Sequence, residues 1–184
     1  MNSNLYLIRH GQSTYNLENR FTGWKDVDLT VLGQKQAKEA SNLLTNHKFD
    51  LAFTSSLVRA QNTLDIILSN LGISLKVIKN KALNERDYGD LVGQNKDEAS
   101  KKFGKEQVQI WRRSFNIPPP NGESLEMTYN RTIPYFNSVI KPYLLNGKNI
   151  ILAAHGNSIR SIVMELLNYD SSQILKTEVG WCEP

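Results

Sequence analysis

The chain has 184 residues and a formal net charge of +4, from 22 Lys and Arg against 18 Asp and Glu. Its hydrophobic fraction of 40% and charged fraction of 22% are ordinary for a globular protein that buries one sizeable core. The apolar runs are well short of the ~20 residues that span a bilayer, and there is no dense Lys and Arg run typical of nucleic-acid binding.

We therefore expect a single domain over residues 1–184, with neither a membrane nor a nucleic acid among its partners. The lone cysteine, Cys182, excludes an intrachain disulfide. The first residues, MNSNLYLIRHG, lack a signal-peptide pattern. Both observations favour a cytoplasmic protein. The mildly basic charge fits a solvated surface, and it fits an anionic small molecule in a basic pocket equally well.

The first predicted element is a strand over residues 5–8, LYLI, an apolar run typical of a strand buried on both faces. Arg9, His10 and Gly11 follow at once, so a cation and a titratable ring stand where the strand ends. In open α/β sheets, ligands bind beyond the carboxyl ends of strands. This arrangement suits an anionic substrate and a nucleophilic or acid–base histidine, although a structural strand-end histidine is the alternative.

Strands and helices alternate along the rest of the chain. A polar loop over residues 10–27 precedes a helix from Val31 to Leu44, which Thr30 can cap. Next come a strand over 49–54, a helix capped by Ser55 or Ser56 and ended by Gly72, a strand over 75–78, and helices over 96–103 and 106–115. The last elements are a long helix over 124–145 interrupted or kinked at Pro134 and Pro142, a strand over 150–154, and helices over 157–167 and 170–176. The alternation predicts an α/β three-layer sandwich, with a mainly parallel sheet and helices on both faces.

The strand over residues 150–154, IILAA, repeats the pattern of the first strand. It also ends in a histidine and a glycine, His155 and Gly156, which are followed by Asn157 and Ser158. Two parallel strands that each end in His-Gly can bring two imidazoles to one site. The repetition therefore favours a functional role for both histidines over a structural one.

The motifs LIRHGQSTYN and AAHGNS resemble those of the histidine phosphatase superfamily. RFTGWKDVDLT, LNERDYGDLVG and EQVQIWRRS narrow the resemblance to the cofactor-dependent phosphoglycerate mutases, and it covers about residues 5–171. It implies that family's fold and the interconversion of 3-phosphoglycerate and 2-phosphoglycerate in glycolysis and gluconeogenesis. It also implies a phosphohistidine intermediate, 2,3-bisphosphoglycerate as the phosphoryl primer and a possible homodimer. No cluster of carboxylates and histidines has ligand spacing, so the sequence implies no metal site.

The resemblance assigns the catalytic roles. His10 would be the nucleophile, and its other ring nitrogen should donate to a carbonyl, which fixes the tautomer. Arg9, Arg59 and His155 would surround the transferring phosphoryl group, whose oxygens carry negative charge. Glu85 would exchange a proton with the substrate hydroxyl, and a neighbouring phosphate should make it bind protons more tightly. Without the resemblance, Arg59 and Glu85 would be interpreted as surface residues.

The resemblance also assigns residues to substrate binding. A clamp for the carboxylate and the remaining phosphate would comprise Arg86, Tyr88, Lys96, Arg112 and Arg113. Hydroxyl or backbone contacts would come from Ser13, Thr22 and Gly23, while Asn16, the amide of Gly156 and the helix start at Asn157 complete the phosphoryl pocket. Many mutases have His where this chain has Asp87, so Asp87 is left without a role.

Two other functions remain open. A histidine phosphatase that hydrolyses bisphosphoglycerate or another small phosphoester would share His10 and its neighbours but would not need the clamp. A non-catalytic binding module is disfavoured because every catalytic residue type is present. Residues 118–123 lead almost directly into the long helix, where many mutases carry an insertion, and the sequence stops before the family's final strand and mobile tail. A short form and a shortened piece of a longer protein both fit these departures.

Overall fold

Four parallel strands form the sheet of this protein. In the computed structural model, which describes residues 3–184, these are β1 (Leu5–Arg9), β2 (Leu51–Thr54), β3 (Val77–Lys79) and β4 (Ile150–Ala154). Their order is β1-β4-β2-β3, so β4 pairs with both β1 and β2. Arg9 lies opposite Ala154 in the register. The two histidines that come after these residues therefore start from adjacent positions at one edge of the sheet.

Helices connect the strands throughout residues 3–184. They are α1 (Thr14–Leu17), α2 (Val31–Leu43), α3 (Val58–Leu71), α4 (Lys96–Phe103), α5 (Lys105–Arg113), α6 (Leu125–Tyr135), α7 (Lys141–Leu145), α8 (Gly156–Leu167) and α9 (Ser171–Lys176). Short 3₁₀ turns lie at Lys81–Leu83 and Gly89–Leu91. Within the same residues, each helix is too short or too polar to cross a membrane.

The sheet is covered by helices on both faces, and β4 shows why. All five of its residues are buried, and successive side chains of a strand point to opposite faces. Ile151 and Ala153 pack in a core with α2 and α3. Ile150 and Leu152 pack in a second core with α6 and α8. The structure confirms the predicted three-layer α/β sandwich, and the described strands are all parallel.

The predicted cap of α3 is wrong. The helix begins after Leu57, which has no side-chain capping bond. The Oγ of Ser55 accepts the Leu57 amide and bonds to His155, while the Ser56 hydroxyl donates to Asn84. The side chains of Ser55 and Ser56 therefore bond to distant residues, His155 and Asn84, and neither caps the helix as serines commonly do.

The predicted long helix over residues 124–145 consists of three segments. A π-helical turn, Phe136–Ile140, separates α6 from α7. Pro134, near the end of α6, has no N–H to continue the helical ladder, and π turns are a common adjustment at such a place. Pro142 lies in the first turn of α7, where a missing N–H is tolerated.

The loop after β1 packs directly against the first turn of α2. A Cβ added to Gly11 would overlap the carbonyl oxygen of Gly33, and one added to Gly33 would overlap that of Gln12. Thr30 caps α2 as predicted, since its side chain accepts the Gly33 amide. Its own amide donates to Gln12. Only glycine permits this backbone approach at both positions.

Candidate active site

Two adjoining cavities lie at the edge of the sheet where β1 and β4 end. The histidine cavity, about 90 Å³, is lined by Arg9, His10, Asn16, Arg20, Phe21, Thr22, Gly23, Arg59, Glu85, Tyr88 and Lys96. The arginine cavity, about 160 Å³, is lined by Arg9, Glu85, Arg86, Tyr88, Lys96, Arg112, Arg113, Gly156, Asn157, Arg160 and Glu178. Arg9, Glu85, Tyr88 and Lys96 line both, so the two cavities share a wall and form one site.

His10 is buried at the inner end of the site with its tautomer fixed. Its Nδ1 lies 2.7 Å from the carbonyl oxygen of Gly11, so Nδ1 carries the proton and donates it. Nε2 is then the unprotonated nitrogen, and Arg59 Nε donates to it at 3.4 Å. Burial, followed by the charges of Arg59 and Arg9, holds the pKa of His10 well below its ordinary value. A neutral ring with a lone pair on Nε2 is what a nucleophilic histidine requires.

His155 is fully buried, and its ring centroid is 5.0 Å from that of His10. Its Nε2 lies 2.8 Å from Ser55 Oγ, which already accepts the amide of Leu57. Among residues 3–184 the Ser55 hydroxyl has no other acceptor for its proton, so it donates to Nε2, and the ring proton is on Nδ1. Within residues 3–184 this buried Nδ1 has no hydrogen-bond partner. Burial and Arg59 lower the pKa of His155 well below its usual range, so the ring is neutral and its Nδ1–H group is a neutral donor.

Two guanidinium groups flank His10. Arg59 is 1% exposed and donates to the carbonyl oxygens of Gly23, at 2.9 Å, and Lys25, at 3.0 Å. Burial lowers its pKa to about 10, so it remains a cation at neutral pH. Arg9 donates to Val179 O at 2.7 Å, while its buried Nε is left without a partner in the described part of the chain. Orphaned donors at Arg9 and His155 fit an anion bound between them.

Glu85 is held ionised by its surroundings. Its Oε1 accepts the amide of Arg86 at 2.8 Å, and both the backbone and side-chain nitrogens of Asn157 at 3.1 and 2.9 Å. Burial raises the pKa of Glu85, but these hydrogen bonds and the charges of Arg9 and Arg59 outweigh it, and the net shift is downward. A neighbouring phosphate is expected from the sequence to raise the pKa of Glu85. The protein's own groups lower this pKa instead. The Glu85 carboxylate is therefore ionised and able to accept a proton.

The loop that carries Glu85 is fixed by residues that the sequence does not single out. Trp24 Nε1 donates to the carbonyl oxygen of Glu85 at 2.6 Å, and Arg131 NH2 donates to the same oxygen at 2.8 Å. Arg131 also donates to Ala82 O at 2.9 Å and pairs with Glu123 at 2.7 Å. Residues this far apart in sequence leave no local pattern, so only the tertiary structure reveals them.

The predicted clamp residues line the arginine cavity together. Arg86 is 2% exposed and lies over the ring of Tyr88, with its carbon 4.7 Å from the ring centroid. Its NH2 donates to the Tyr88 hydroxyl at 2.8 Å and to the carbonyl oxygen of Arg112 at 3.0 Å. Burial, then the charge of Arg112, lowers the pKa of Lys96. The part of this shift that comes from Arg112 reflects a neighbouring cation, and an anion bound here would offset it.

Two predicted site residues, Ser13 and Asn157, are used differently from the sequence interpretation, which gives a third residue, Asp87, no role. Ser13 lies outside both cavities because it caps α1, and its amide and hydroxyl donate to Asn16 Oδ1. Ser13 therefore orients Asn16, which does line the histidine cavity. The amide of Asn157 is engaged by Glu85, and α8 begins one residue earlier, at Gly156. Asp87 closes a turn by accepting the amide of Gly89, which gives it a structural position.

Three charged residues line the site without having been expected there: Arg20, Arg160 and Glu178. Arg20 lies in the polar loop after β1 and donates to Gly93 O at 2.7 Å. In the described residues, 3–184, no group of three or more His, Cys, Asp and Glu side chains could hold a metal ion.

The chain matches the model of the histidine phosphatase superfamily (branch 1) over residues 5–183. It is 56% identical to a 2,3-bisphosphoglycerate-dependent phosphoglycerate mutase of Nitrobacter hamburgensis, covering 98% of this chain and 88% of the relative. A mutase of the same name from Rhizobium meliloti is 54% identical, covering 98% and 87%. Among solved structures, a mycobacterial glucosyl-3-phosphoglycerate phosphatase has a TM-score of 0.83 at 26% identity, covering 96% of this chain and 88% of the other.

These similarities agree with the geometry of the site and with the resemblance seen in its motifs. The relatives match along nearly the whole chain, so the family assignment rests on much more than the two His-Gly motifs. The chain belongs to the histidine phosphatase superfamily, branch 1, and within it to the family of the 2,3-bisphosphoglycerate-dependent phosphoglycerate mutases.

Proposed function

We propose that the protein interconverts 3-phosphoglycerate and 2-phosphoglycerate through a phosphohistidine at Nε2 of His10, with 2,3-bisphosphoglycerate as primer. One observation carries the proposal: a neutral His10 and an ionised Glu85 line the same cavity, which opens onto a second one rich in cations. The first cavity suits phosphoryl transfer. The second suits the anionic groups that do not react.

The geometry around His10 suits a phosphoryl transfer in two steps. With the phosphoryl group on Nε2, the carboxylate of Glu85 takes the proton of the O2 hydroxyl of 3-phosphoglycerate, and O2 attacks phosphorus. The P–N bond breaks as the new P–O bond forms, which yields 2,3-bisphosphoglycerate. In the second half of the reaction, Nε2 attacks the phosphate on O3 of 2,3-bisphosphoglycerate. The P–O3 bond breaks as Glu85 returns its proton to O3, which yields 2-phosphoglycerate and restores the phosphohistidine.

Charge stabilisation comes from groups that are already in position. Arg9 and Arg59 supply fixed positive charge to the phosphoryl oxygens, and the Nδ1–H group of His155 donates a hydrogen bond to them. Their donors need little rearrangement because the structure fixes them before the reaction, which is how preorganised sites lower barriers. The neutrality of His155 also avoids a further desolvated charge next to His10.

The arginine cavity would hold the substrate while the phosphoryl group moves. Its cationic side chains are Arg9, Arg86, Lys96, Arg112, Arg113 and Arg160, against the carboxylates of Glu85 and Glu178. 3-Phosphoglycerate carries a carboxylate and a phosphate, and arginine binds both kinds of group bidentately. A plain phosphatase would have less need of such a cavity, because water is its acceptor.

We include in this proposal a cytoplasmic location, a homodimer, and one catalytic domain over residues 1–184. The lone cysteine and a glycolytic substrate support the location, and the family resemblance suggests the assembly. The single four-stranded sheet of residues 3–184 supports the domain assignment. Analytical ultracentrifugation measures the oligomeric state directly.

The decisive experiment mixes the protein with 3-phosphoglycerate and a catalytic amount of 2,3-bisphosphoglycerate and follows the products by phosphorus NMR. We expect 2-phosphoglycerate to accumulate to equilibrium with little inorganic phosphate. The His10→Ala variant, which keeps the rest of the cavity, should form neither. Release of inorganic phosphate without 2-phosphoglycerate would replace the mutase proposal with a phosphatase.

A further inference from the structure

The arginine cavity contains an acidic side chain that the proposed reaction does not use. Glu178 lies after α9, and its carboxylate pairs with Arg113 of α5 and with Arg160 of α8, each at 3.5 Å. Its side chain is 74% exposed, whereas that of Arg160 is 15% exposed. An exposed carboxylate thus bridges two cations from the solvent side of the cavity.

Arg160 is held in place independently of Glu178. Its Nε donates to the carbonyl oxygen of Thr177 at 2.8 Å, which fixes the guanidinium plane. It lies four residues after Gly156 on α8, and residues four apart share a helix face. Both residues accordingly line the arginine cavity. The NH2 group that contacts Glu178 is therefore presented to whatever anion occupies this cavity.

Few carboxylates balance the cations of this cavity. Glu85 and Glu178 are the acidic residues that line it, and Glu85 is already engaged by the Arg86 amide and by Asn157. A phosphoglycerate bound here would place its own negative groups beside Glu178. The negative groups of the substrate and the Glu178 carboxylate repel each other, so the substrate and the glutamate compete for the same arginines.

We propose that Glu178 is an internal counter-ion that occupies the anion position between Arg113 and Arg160 until the substrate displaces it. Arg160 is then a further substrate-binding residue. This inference rests on the proposed function, which supplies the phosphoglycerate. Displacement is easy because exposed ion pairs contribute little to stability. An anion with little charge gains little binding free energy by displacing the Glu178 carboxylate from the two arginines. Glu178 therefore also disfavours the binding of such ligands.

The experiment titrates 3-phosphoglycerate into wild type, Glu178→Gln and Arg160→Gln by calorimetry. We expect Glu178→Gln to bind about two- to fivefold more tightly, the size of an exposed ion pair. Arg160→Gln should bind about 10- to 100-fold more weakly, because a charge-assisted contact is lost. Glu183→Gln is the matched control: it removes an exposed carboxylate from the same segment but lines neither cavity. Equal affinities of Glu178→Gln and wild type would overturn the proposal.

The double variant Arg160→Gln/Glu178→Gln tests whether the glutamate acts through Arg160. The gain in affinity from Glu178→Gln should shrink in the Arg160→Gln background, because part of its partner set is gone. If Glu178→Gln increases the affinity equally with and without Arg160, the pairing is contradicted. Glu178 would then affect binding only through its long-range charge. Thermal unfolding of each variant shows that the proteins compared are folded.

Inorganic pyrophosphate is titrated in parallel, because its binding requires no mutase activity. If 3-phosphoglycerate is not converted but pyrophosphate affinity still falls in the order Glu178→Gln, wild type, Arg160→Gln, the proposed function fails, whereas the displacement of Glu178 by an anion stands. If the wild type produces 2-phosphoglycerate and neither ligand obeys that order, the inference alone fails.

Discussion

The imidazole rings of His10 and His155 lie 5.0 Å apart, one bonded to a backbone carbonyl and the other to a serine hydroxyl. A carboxylate partner would have raised the pKa of either ring, as it does in many catalytic histidines. With neutral partners, burial and the nearby arginines determine the outcome, and both rings stay neutral. The two histidines can therefore lie beside two arginines without adding charge to the cavity.

The lowered pKa values of His10 and His155 predict acid sensitivity of the fold. Below about pH 6.5 the unfolded chain protonates both residues, whereas the native protein does not until its lower pKa values are reached. The free energy of unfolding should therefore decrease as the pH falls through that range, by up to ~1.4 kcal/mol per unit for each histidine. Urea unfolding at several pH values measures the slope. His155→Gln should flatten the slope, and an unchanged slope in this variant would contradict the prediction.

His10→Ala should abolish the phosphoenzyme and the mutase reaction together. The reason is that Nε2 of His10 is the nitrogen left unprotonated by the Gly11 contact. Incubation with labelled 2,3-bisphosphoglycerate and measurement of acid-labile label on the protein gives the result. His47→Ala serves as the control and should label normally. Wild-type labelling of His10→Ala would identify another nucleophile.

Glu85→Gln should lower turnover by about 10²–10⁴-fold, the usual range for a general acid–base group. The amide occupies the same space, so KM for 3-phosphoglycerate should stay within a few fold. Steady-state kinetics separate these two quantities. Glu126→Gln, an exposed glutamate in the first turn of α6, should retain full activity. Unchanged turnover of Glu85→Gln at neutral pH would remove this residue from the mechanism.

Asn157→Ala should move the acid limb of the pH–rate profile to higher pH. The Asn157 side chain donates to Glu85 Oε1 at 2.9 Å and lowers the pKa of that carboxyl, so its loss should raise the pKa. Glu85 would then be protonated, and unable to accept a proton, at a higher pH than in wild type. The pH dependence of kcat/KM measures the shift. An unmoved limb would show that another group controls it.

Arg131→Met should destabilise the protein by about 3–5 kcal/mol, as expected when one partner of a largely buried ion pair is removed. Glu123 would lose its cation, and the carbonyl oxygens of Ala82 and Glu85 would lose a donor. Urea unfolding at neutral pH measures the change. Lys141→Met removes an exposed cation and should cost little. A loss below ~1 kcal/mol for Arg131→Met would show that the loop does not depend on this arginine.

The parts of the site that sequence predicts are those that depend on local order along the chain. LYLI before Arg9 and IILAA before His155 are buried strands, and parallel pairing places the residues at their carboxyl ends side by side. The motif resemblance then brings Arg59 and Glu85 to the same place, and the structure agrees. Helix bounds differ mainly by one to two residues, because fraying ends and turns carry weak signals.

The remaining features depend on contacts between distant residues. Ser13 has the residue type of a ligand contact and of a helix cap alike, and only its bonds to Asn16 distinguish them. Ser55 and Ser56 have the residue type and position of helix caps, but their hydroxyls bond to His155 and Asn84, which are distant in sequence. The bonds of Arg131 to the Glu85 loop span 46 residues of sequence. No propensity or spacing encodes such a bond.

The contact between Gly11 and Gly33 links His10, the proposed nucleophile, to a helix that has no side chain in either cavity. The Gly11 carbonyl selects the tautomer of His10, and the bare backbone of α2 supports the other side of that loop. A methyl group added to Gly33 would have to push the loop outward and would carry the tautomer-selecting oxygen with it. The clearance between two backbones thus limits which substitutions α2 tolerates, and a change at a residue that lines neither cavity could abolish the reaction.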